Sequence, residues 1–132
     1  ITFYAQSSNQ NKSLHNAIQI KTDEIFDSLV TIRRDFHKHP ELSGKEHRTS
    51  NEIAQYLRSL GLEVKTNIGG YGVVGILNGD KPGKRIAWRA DIDALETNFP
   101  DVVNFKSQNK GVRHICGHDV HTTIGLGIAN VL

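Results

Sequence analysis

Cysteine is nearly absent from this sequence, since Cys116 is the only one among 132 residues. A single cysteine excludes an internal disulfide, and it also excludes the zinc modules that are built from cysteine pairs. If this thiol has a chemical role, it therefore acts alone or together with residues of other types.

The sequence also lacks a strong charge imbalance and a long apolar run. Its formal net charge is +2, and basic and acidic residues are interleaved without a long block of one sign. These properties predict binding neither to nucleic acid nor to an anionic membrane, and no apolar stretch approaches the length of a membrane-spanning helix. With 37% hydrophobic and 23% charged residues, the composition is that of one folded domain with a core.

Both ends of the sequence suggest a piece of a larger protein. The chain begins with Ile1, and its opening is compatible with the tail of a secretory signal cleaved near Ala5. Residues 1–13 are therefore interpreted as a disordered leader, a signal-peptide remnant. At the other end, Leu132 lies inside an apolar, helix-like run without a cap, so residues 14–132 are interpreted as part of a domain that continues.

The spacing of apolar residues predicts two helices in the first half of the chain. Apolar side chains recur at helical intervals over residues 14–36, and Pro40 should end that helix near residue 39. A second helix should start at Thr49, because Thr49 and Glu52 have the spacing of a capping box. Gly61 is well placed to end it.

After the second helix the pattern changes to that of strands. The predicted order is three strands over residues 62–66, 73–77 and 85–88, a long loop over 96–110 and a helix over 119–132. This order is that of half an α/β sandwich.

The densest group of chemically active side chains is the segment His114–His121, with three histidines, a thiol and a carboxylate. Cysteine sulfur and histidine nitrogen suit zinc and neighbouring transition metals, and Gly117 allows a tight turn that aims Cys116 and His118 at one ion. The alternative is that Cys116 is a small buried hydrophobe and the histidines cap or pack a helix. A catalytic zinc takes about three protein ligands, so this pair alone does not complete a site.

Two carboxylates, Asp91 and Asp93, follow the third predicted strand. Spaced by two in an extended segment, they lie on the same face and are suited to orient a metal-bound histidine. The residues alone favour the simpler interpretation, a salt-bridged loop in which Arg89 neutralises its neighbours.

A third cluster, Arg33–Leu42, contains His37 and His39 at the end of the first predicted helix. These histidines are candidate metal ligands, but cations also suit the C-terminal end of a helix, and we favour that structural role. The basic run is too short, and too poor in aromatic residues, to predict nucleic-acid binding.

Taken together, the three clusters and a glycine-rich stretch resemble the N-terminal region of the N-acyl-amino-acid amidohydrolases. This family includes hippurate hydrolases and plant auxin-conjugate hydrolases, within the aminoacylase and carboxypeptidase group of metallopeptidases. The resemblance is carried by four ordered stretches: Ile32–Leu42, Gly69–Gly75, Arg89–Leu95 and His114–His121. Where the family usually has proline after Asp-Ala-Leu, this chain has Glu96, which leaves substrate preference more open than reaction type.

The resemblance implies a three-layer α/β/α catalytic domain, present here in part and without the family's lid domain. It implies Cys116 and His118 as metal ligands, Asp91 as the acidic residue that orients the site, and a structural part for His37 and His39. It gives Asp119 and His121 no ligand role.

For the parent protein, the resemblance implies two divalent metal ions, Zn or Mn, and hydrolysis of N-acyl amino acids or short peptides. A homodimeric parent is compatible with it. The general-base glutamate and the remaining ligands would lie beyond Leu132.

Other functions stay open at the level of sequence. A non-catalytic remnant that acts as a binding or interaction module is compatible with the missing glutamate and histidines. A nucleophilic Cys116 would need a neighbouring histidine to depress the pKa of its thiol. The chain alone is predicted to be inactive and poorly stable, because sheet edges and apolar surface stay uncovered. The compartment, exported or cytoplasmic, is left open.

Overall fold

The computed structural model describes the backbone of residues 3–132 and the side chains from residue 11 onward. The three helices are α1 (Phe3–Lys38), α2 (His47–Ser59) and α3 (His118–Val131), and the four strands are β1 (Glu63–Ile68), β2 (Gly72–Ile76), β3 (Leu95–Glu96) and β4 (Val112–Arg113). Strands β1 and β2 form one antiparallel pair, and β3 and β4 form another. No helix among residues 3–132 is long and apolar enough to cross a bilayer.

The hydrophobic core lies where the three helices meet. Its buried members are Phe36 of α1, Ile53 and Leu57 of α2 and Leu126 of α3. Fully burying a side chain of this kind contributes about 1.5–3 kcal/mol to stability. At Gly127 an added Cβ would lie 2.9 Å from Leu29 Cδ1, so α3 lies close to α1 here, and a larger residue would require the Leu29 side chain to shift.

Helix α1 is longer than the apolar pattern predicted. Its C-terminal half packs on the core as expected, with Ile32 half-buried and Phe36 buried. Residues 3–13, which belong to the segment 1–13 expected to be a disordered leader, are helical instead. Once a helix is nucleated by packing, it extends at little cost through residues that are acceptable helix formers. Residues 1 and 2 of the expected leader lie outside the described residues.

The prediction of a third strand over residues 85–88 is wrong. This segment has no strand conformation, and its apolar side chains Ile86 and Trp88 are 95% and 59% exposed. A strand is held by hydrogen bonds to a neighbouring strand. Neither of the described sheets pairs with this segment, so its β-type sequence does not become a strand.

The start of α2 also differs from the prediction. The helix begins at His47 rather than at Thr49, and its N-cap residue makes no side-chain capping bond. The carboxylate of Glu41 accepts hydrogen bonds from the backbone N–H groups of Arg48 and Thr49 at 3.1 and 2.8 Å. A carboxylate from the preceding loop therefore satisfies the free N–H groups of the first turn, and its negative charge suits that end of the helix.

We expect Glu41→Ala to destabilise the protein, because two backbone donors of α2 lose their acceptor. The expected loss is about 0.5–2 kcal/mol in the free energy of unfolding, the usual cost of removing a helix cap. The measurement is urea denaturation of the full-length protein, meaning the natural polypeptide that carries this sequence.

Glu52→Ala is the matched control, since Glu52 lies on the same helix and makes only a half-exposed ion pair with Arg48 at 3.9 Å. Exposed pairs of this kind contribute little. Equal losses in the two variants would contradict the capping role of Glu41.

Candidate metal centre

The turn that sequence analysis singled out lies directly before α3. Gly117 is the N-cap residue of the helix and has the left-handed conformation, with φ of 84°. Cys116 precedes it with an exposed thiol, and His118 is the first residue of α3. The alternative in which Cys116 packs as a buried hydrophobe is therefore wrong. An added Cβ at Gly117 would meet no atom within 4 Å, so the backbone angle, not lack of space, favours glycine here.

The ring of His118 is held by Asp93. His118 Nδ1 lies 2.8 Å from Asp93 Oδ1 and 3.0 Å from the backbone oxygen of Asp93. Both oxygens only accept hydrogen bonds, so Nδ1 carries the proton and Nε2 keeps a free lone pair. A carboxylate that fixes the far nitrogen of a histidine in this way is the usual support of a metal-binding imidazole.

Asp91 lies beside both His118 and His121. Its Oδ2 lies 3.9 Å from His118 Nε2 and 3.6 Å from His121 Nδ1, and its other oxygen pairs with Arg89. Its backbone N–H is 3.3 Å from His121 Nδ1. The carboxylate that holds the His118 ring is thus Asp93, while Asp91 faces the nitrogen that stays free. Whether Asp91 also orients a metal site remains a prediction.

The donor set fits a transition metal but does not complete a site. The thiol of Cys116 is exposed and Nε2 of His118 is free to coordinate, and both are ligands that zinc accepts. Among the described residues, no group of three or more His, Cys, Asp or Glu side chains is arranged to hold an ion. The assignment of Cys116 and His118 as ligands therefore stays a prediction.

His37 and His39 have the structural contacts that sequence analysis favoured for them. Buried His37 donates from Nδ1 to Asp119 Oδ2 at 2.8 Å, and its Nε2 lies 3.3 Å from Asp101 Oδ1. The Nδ1 atom of His39 lies 2.9 Å from the backbone oxygen of Asp35, one turn earlier in α1. His37 thus joins α1 to α3 and to the loop that contains Asp101, whereas the ring of His39, among the described residues, makes its polar contacts with Asp35 of α1.

Two participants in this region, Arg33 and Asp101, had no individual role in the sequence analysis, and His114 appeared there only as one of the three histidines of the segment His114–His121. Arg33 Nε lies 2.9 Å from Asp119 Oδ2, and its four-residue spacing from His37 was a signal that the two share one helix face. Asp101 lies in a loop without periodicity, so no local pattern could have identified it.

His114 is buried, and neither of its ring nitrogens has a hydrogen-bond partner in the described part of the chain. Burial lowers the pKa of His114 to about 4, although the charge of Asp119 opposes this shift.

The pKa of Asp101 lies below its ordinary value of 3.8. Loss of solvent on burial raises the pKa, but the N–H of Ser107 and the charges of His37 and Arg113 outweigh this effect. The N–H of Ser107 donates to Asp101 Oδ2 at 2.8 Å. The charged form of Asp101 is therefore favoured in the folded protein.

No family model matches the chain. Curated proteins do match it. Over 120 residues it is 44% identical to a Bacillus subtilis protein assigned as an amidohydrolase, YhaA, covering 91% of this chain and 30% of that protein. Over 117 residues it is 49% identical to thermostable carboxypeptidase 2 of Saccharolobus solfataricus, covering 86% of this chain and 30% of that protein.

Two solved structures have the same fold over most of the chain. A protein of methicillin-resistant Staphylococcus aureus assigned as an aminohydrolase has a TM-score of 0.83 and 40% identity, covering 88% of this chain and 30% of that one. Bacillus subtilis YXEP, described as a dinuclear metal binding peptidase from the M20 family, has a TM-score of 0.76 and 37% identity, covering 81% and 30%. The chain is a homologue of these hydrolases.

This homology confirms the resemblance to metal-dependent amidohydrolases and metallopeptidases. The TM-scores confirm the predicted fold class, a partial α/β domain of the metallopeptidase type. The chain spans about 30% of the length of the curated relatives that it matches.

We expect Asp101→Asn to lower stability near neutral pH and to have little effect in acid. Because the pKa of Asp101 is lower in the folded than in the unfolded state, its stabilisation is complete above the unfolded value and disappears as pH falls through the folded value. Urea denaturation of the full-length protein at about pH 7 and about pH 3 measures the difference from wild type.

Asp80→Asn is the control, since Asp80 lies on an exposed loop. If the free energies of unfolding of wild type and Asp101→Asn differ as much in acid as at neutral pH, the lowered pKa of Asp101 does not account for the loss.

Proposed function

We propose that the full-length protein is a two-metal amidohydrolase that cleaves the amide bond of N-acyl amino acids or short peptides. The observation that carries this proposal is the turn at residues 116–118. There an exposed thiol and an imidazole with a free Nε2 stand one residue apart, with the imidazole fixed by Asp93. The names of the relatives, amidohydrolase and carboxypeptidase, support the reaction class.

The side chains of this region have distinct tasks in the proposal. Cys116 would hold the ion through its sulfur, in the deprotonated and negatively charged form. Asp93 keeps the proton of His118 on Nδ1, so that Nε2 stays available as a ligand. When bound, a divalent ion such as Zn or Mn supplies a Lewis acid and lowers the pKa of a coordinated water.

The substrate class follows from what the relatives' names share. An amidohydrolase breaks an amide C–N bond, and a carboxypeptidase breaks the amide bond next to a C-terminal amino acid. An amino acid with a free carboxylate whose amine carries an acyl group or a peptide satisfies both descriptions. We therefore assign N-acyl amino acids and short peptides as the substrates to be tested.

Cys116→Ser in the full-length protein is expected to reduce both metal content and hydrolysis of an N-acyl amino acid. The loss of activity should exceed the roughly 10–100-fold effect of mutating a residue that only supports a ligand. Elemental analysis and steady-state kinetics measure the two quantities. Ile115→Ser is the matched control, because Ile115 is the preceding residue on the same turn and is 50% exposed.

Alkylation separates this proposal from a nucleophilic Cys116, since a thiolate bound to metal reacts slowly with iodoacetamide. Rapid alkylation of Cys116 in the metal-loaded protein would favour the nucleophile. Full activity after exhaustive chelation, or unchanged metal content in Cys116→Ser, would refute the metal site.

The 132-residue chain by itself is expected to show no hydrolysis. Its described residues bring together only two of the proposed ligands, and a catalytic zinc needs about three. Side-by-side assays of the chain and the full-length protein at equal metal concentration measure this difference. Metal-dependent turnover by the chain would show that its own residues complete the site. If both proteins are inactive but bind an N-acyl amino acid, the chain belongs to a binding module instead.

A further inference from the structure

The residue that follows His118 is the centre of a buried charged cluster. Asp119 has a side chain with 0% exposure, and its Oδ2 lies 2.8 Å from His37 Nδ1 and 2.9 Å from Arg33 Nε. His37 reaches Asp101 with its other ring nitrogen. We call Arg33, His37, Asp101 and Asp119 the His37 cluster.

In the His37 cluster, Asp119 is contacted by Arg33 and His37, and Asp101 is contacted by His37. Both ring nitrogens of His37 face carboxylates, and a carboxylate only accepts hydrogen bonds, so both nitrogens donate only when the ring is doubly protonated. Removing one partner leaves a buried charge uncompensated, which is strongly unfavourable.

Within the cluster, His37 makes the directed contact with α3. Arg33 Nε is close to Asp119 but has no hydrogen-bond geometry toward it, and Asp119 Oδ1 has no hydrogen-bond partner among the described residues. Both ring nitrogens of His37 are occupied by carboxylates, so His37 is not free to act as a metal ligand itself.

The first turn of α3 depends on this contact. The N-cap residue, Gly117, makes no side-chain capping bond. The first turn is therefore held from the side, by Asp93 at His118 and by His37 at Asp119. Adjacent residues of a helix keep a fixed angle to each other, so fixing Asp119 also fixes the direction of His118 and of the turn that carries Cys116.

We propose that His37 is a positioning residue for the metal site: through Asp119 it holds His118 and Cys116 in the geometry that binds the ion. This inference rests on the proposed metal site. His37, which is remote in sequence from Cys116 and His118, therefore contributes measurably to the affinity for the metal.

The test uses the full-length protein stripped of metal and titrated with Co²⁺. Absorbance from thiolate-to-cobalt charge transfer reports coordination by Cys116, independently of catalysis. For His37→Ala and Asp119→Asn we expect a Kd for Co²⁺ about 10–100-fold higher than that of wild type, with a changed charge-transfer band. His37→Asn keeps an N–H close to the position of Nδ1, where it can donate to Asp119, so it should recover most of the affinity.

His39→Ala is the matched control, because His39 lies two residues away and the polar partner of its ring is Asp35 rather than Asp119. It should bind Co²⁺ as wild type does. If His37→Ala does not fold, the contrast between Asp119→Asn and His37→Asn decides. Wild-type Co²⁺ affinity in the folded His37 and Asp119 variants would overturn the inference, and so would an equal loss in His39→Ala.

Titration of Cys116→Ser in parallel separates the positioning role of His37 from the proposed metal site on which it rests. A charge-transfer band that survives in Cys116→Ser shows that the metal site itself was assigned wrongly. A band that disappears in Cys116→Ser, but is normal in the variants of His37 and Asp119, overturns only the positioning role.

Discussion

The buried carboxylate of Asp119 is the constraint on which the arrangement of the helices depends. A carboxylate without solvent needs polar partners close by, and Arg33 and His37 supply them from one face of α1. This requirement fixes the C-terminal half of α1 against the first turn of α3. The close approach of Leu29 to Gly127 and the core contacts of Phe36 continue the same interface.

The short segment after α1 brings the remaining parts to this interface. The backbone oxygen of Pro40 accepts a hydrogen bond from Asn109, and that of Glu41 accepts one from the N–H of Ala94. The side chain of Glu41 caps α2. The segment at Pro40 and Glu41 therefore contacts the start of α2, the loop with Asn109 and the backbone at Ala94. Because Asp93 is the neighbour of Ala94, the last of these contacts places Asp93 close to His118.

The sequence predicted much of this arrangement because the relevant signals are local. The apolar period of α1, the stop at Pro40 and the flexible Gly117 each follow from the conformational preferences of a few neighbouring residues. Predictions that needed a distant partner were less successful. Thr49 was expected to cap α2 although Glu41 does so from outside the helix, and residues 85–88 have a strand-like pattern but no described strand to pair with.

By itself, the sequence determined that a thiol and an imidazole stand one residue apart on a turn before a helix, because that spacing and the intervening glycine are properties of the chain. It did not determine which carboxylate holds the imidazole, since Asp91 and Asp93 lie on the same face of an extended segment and are equivalent in any local pattern. Only the tertiary structure decided for Asp93, by placing its oxygen 2.8 Å from His118 Nδ1. It likewise joined His37 to Asp119 across 82 residues, because contacts between distant parts of a chain depend on how the helices pack and leave no trace in local spacing.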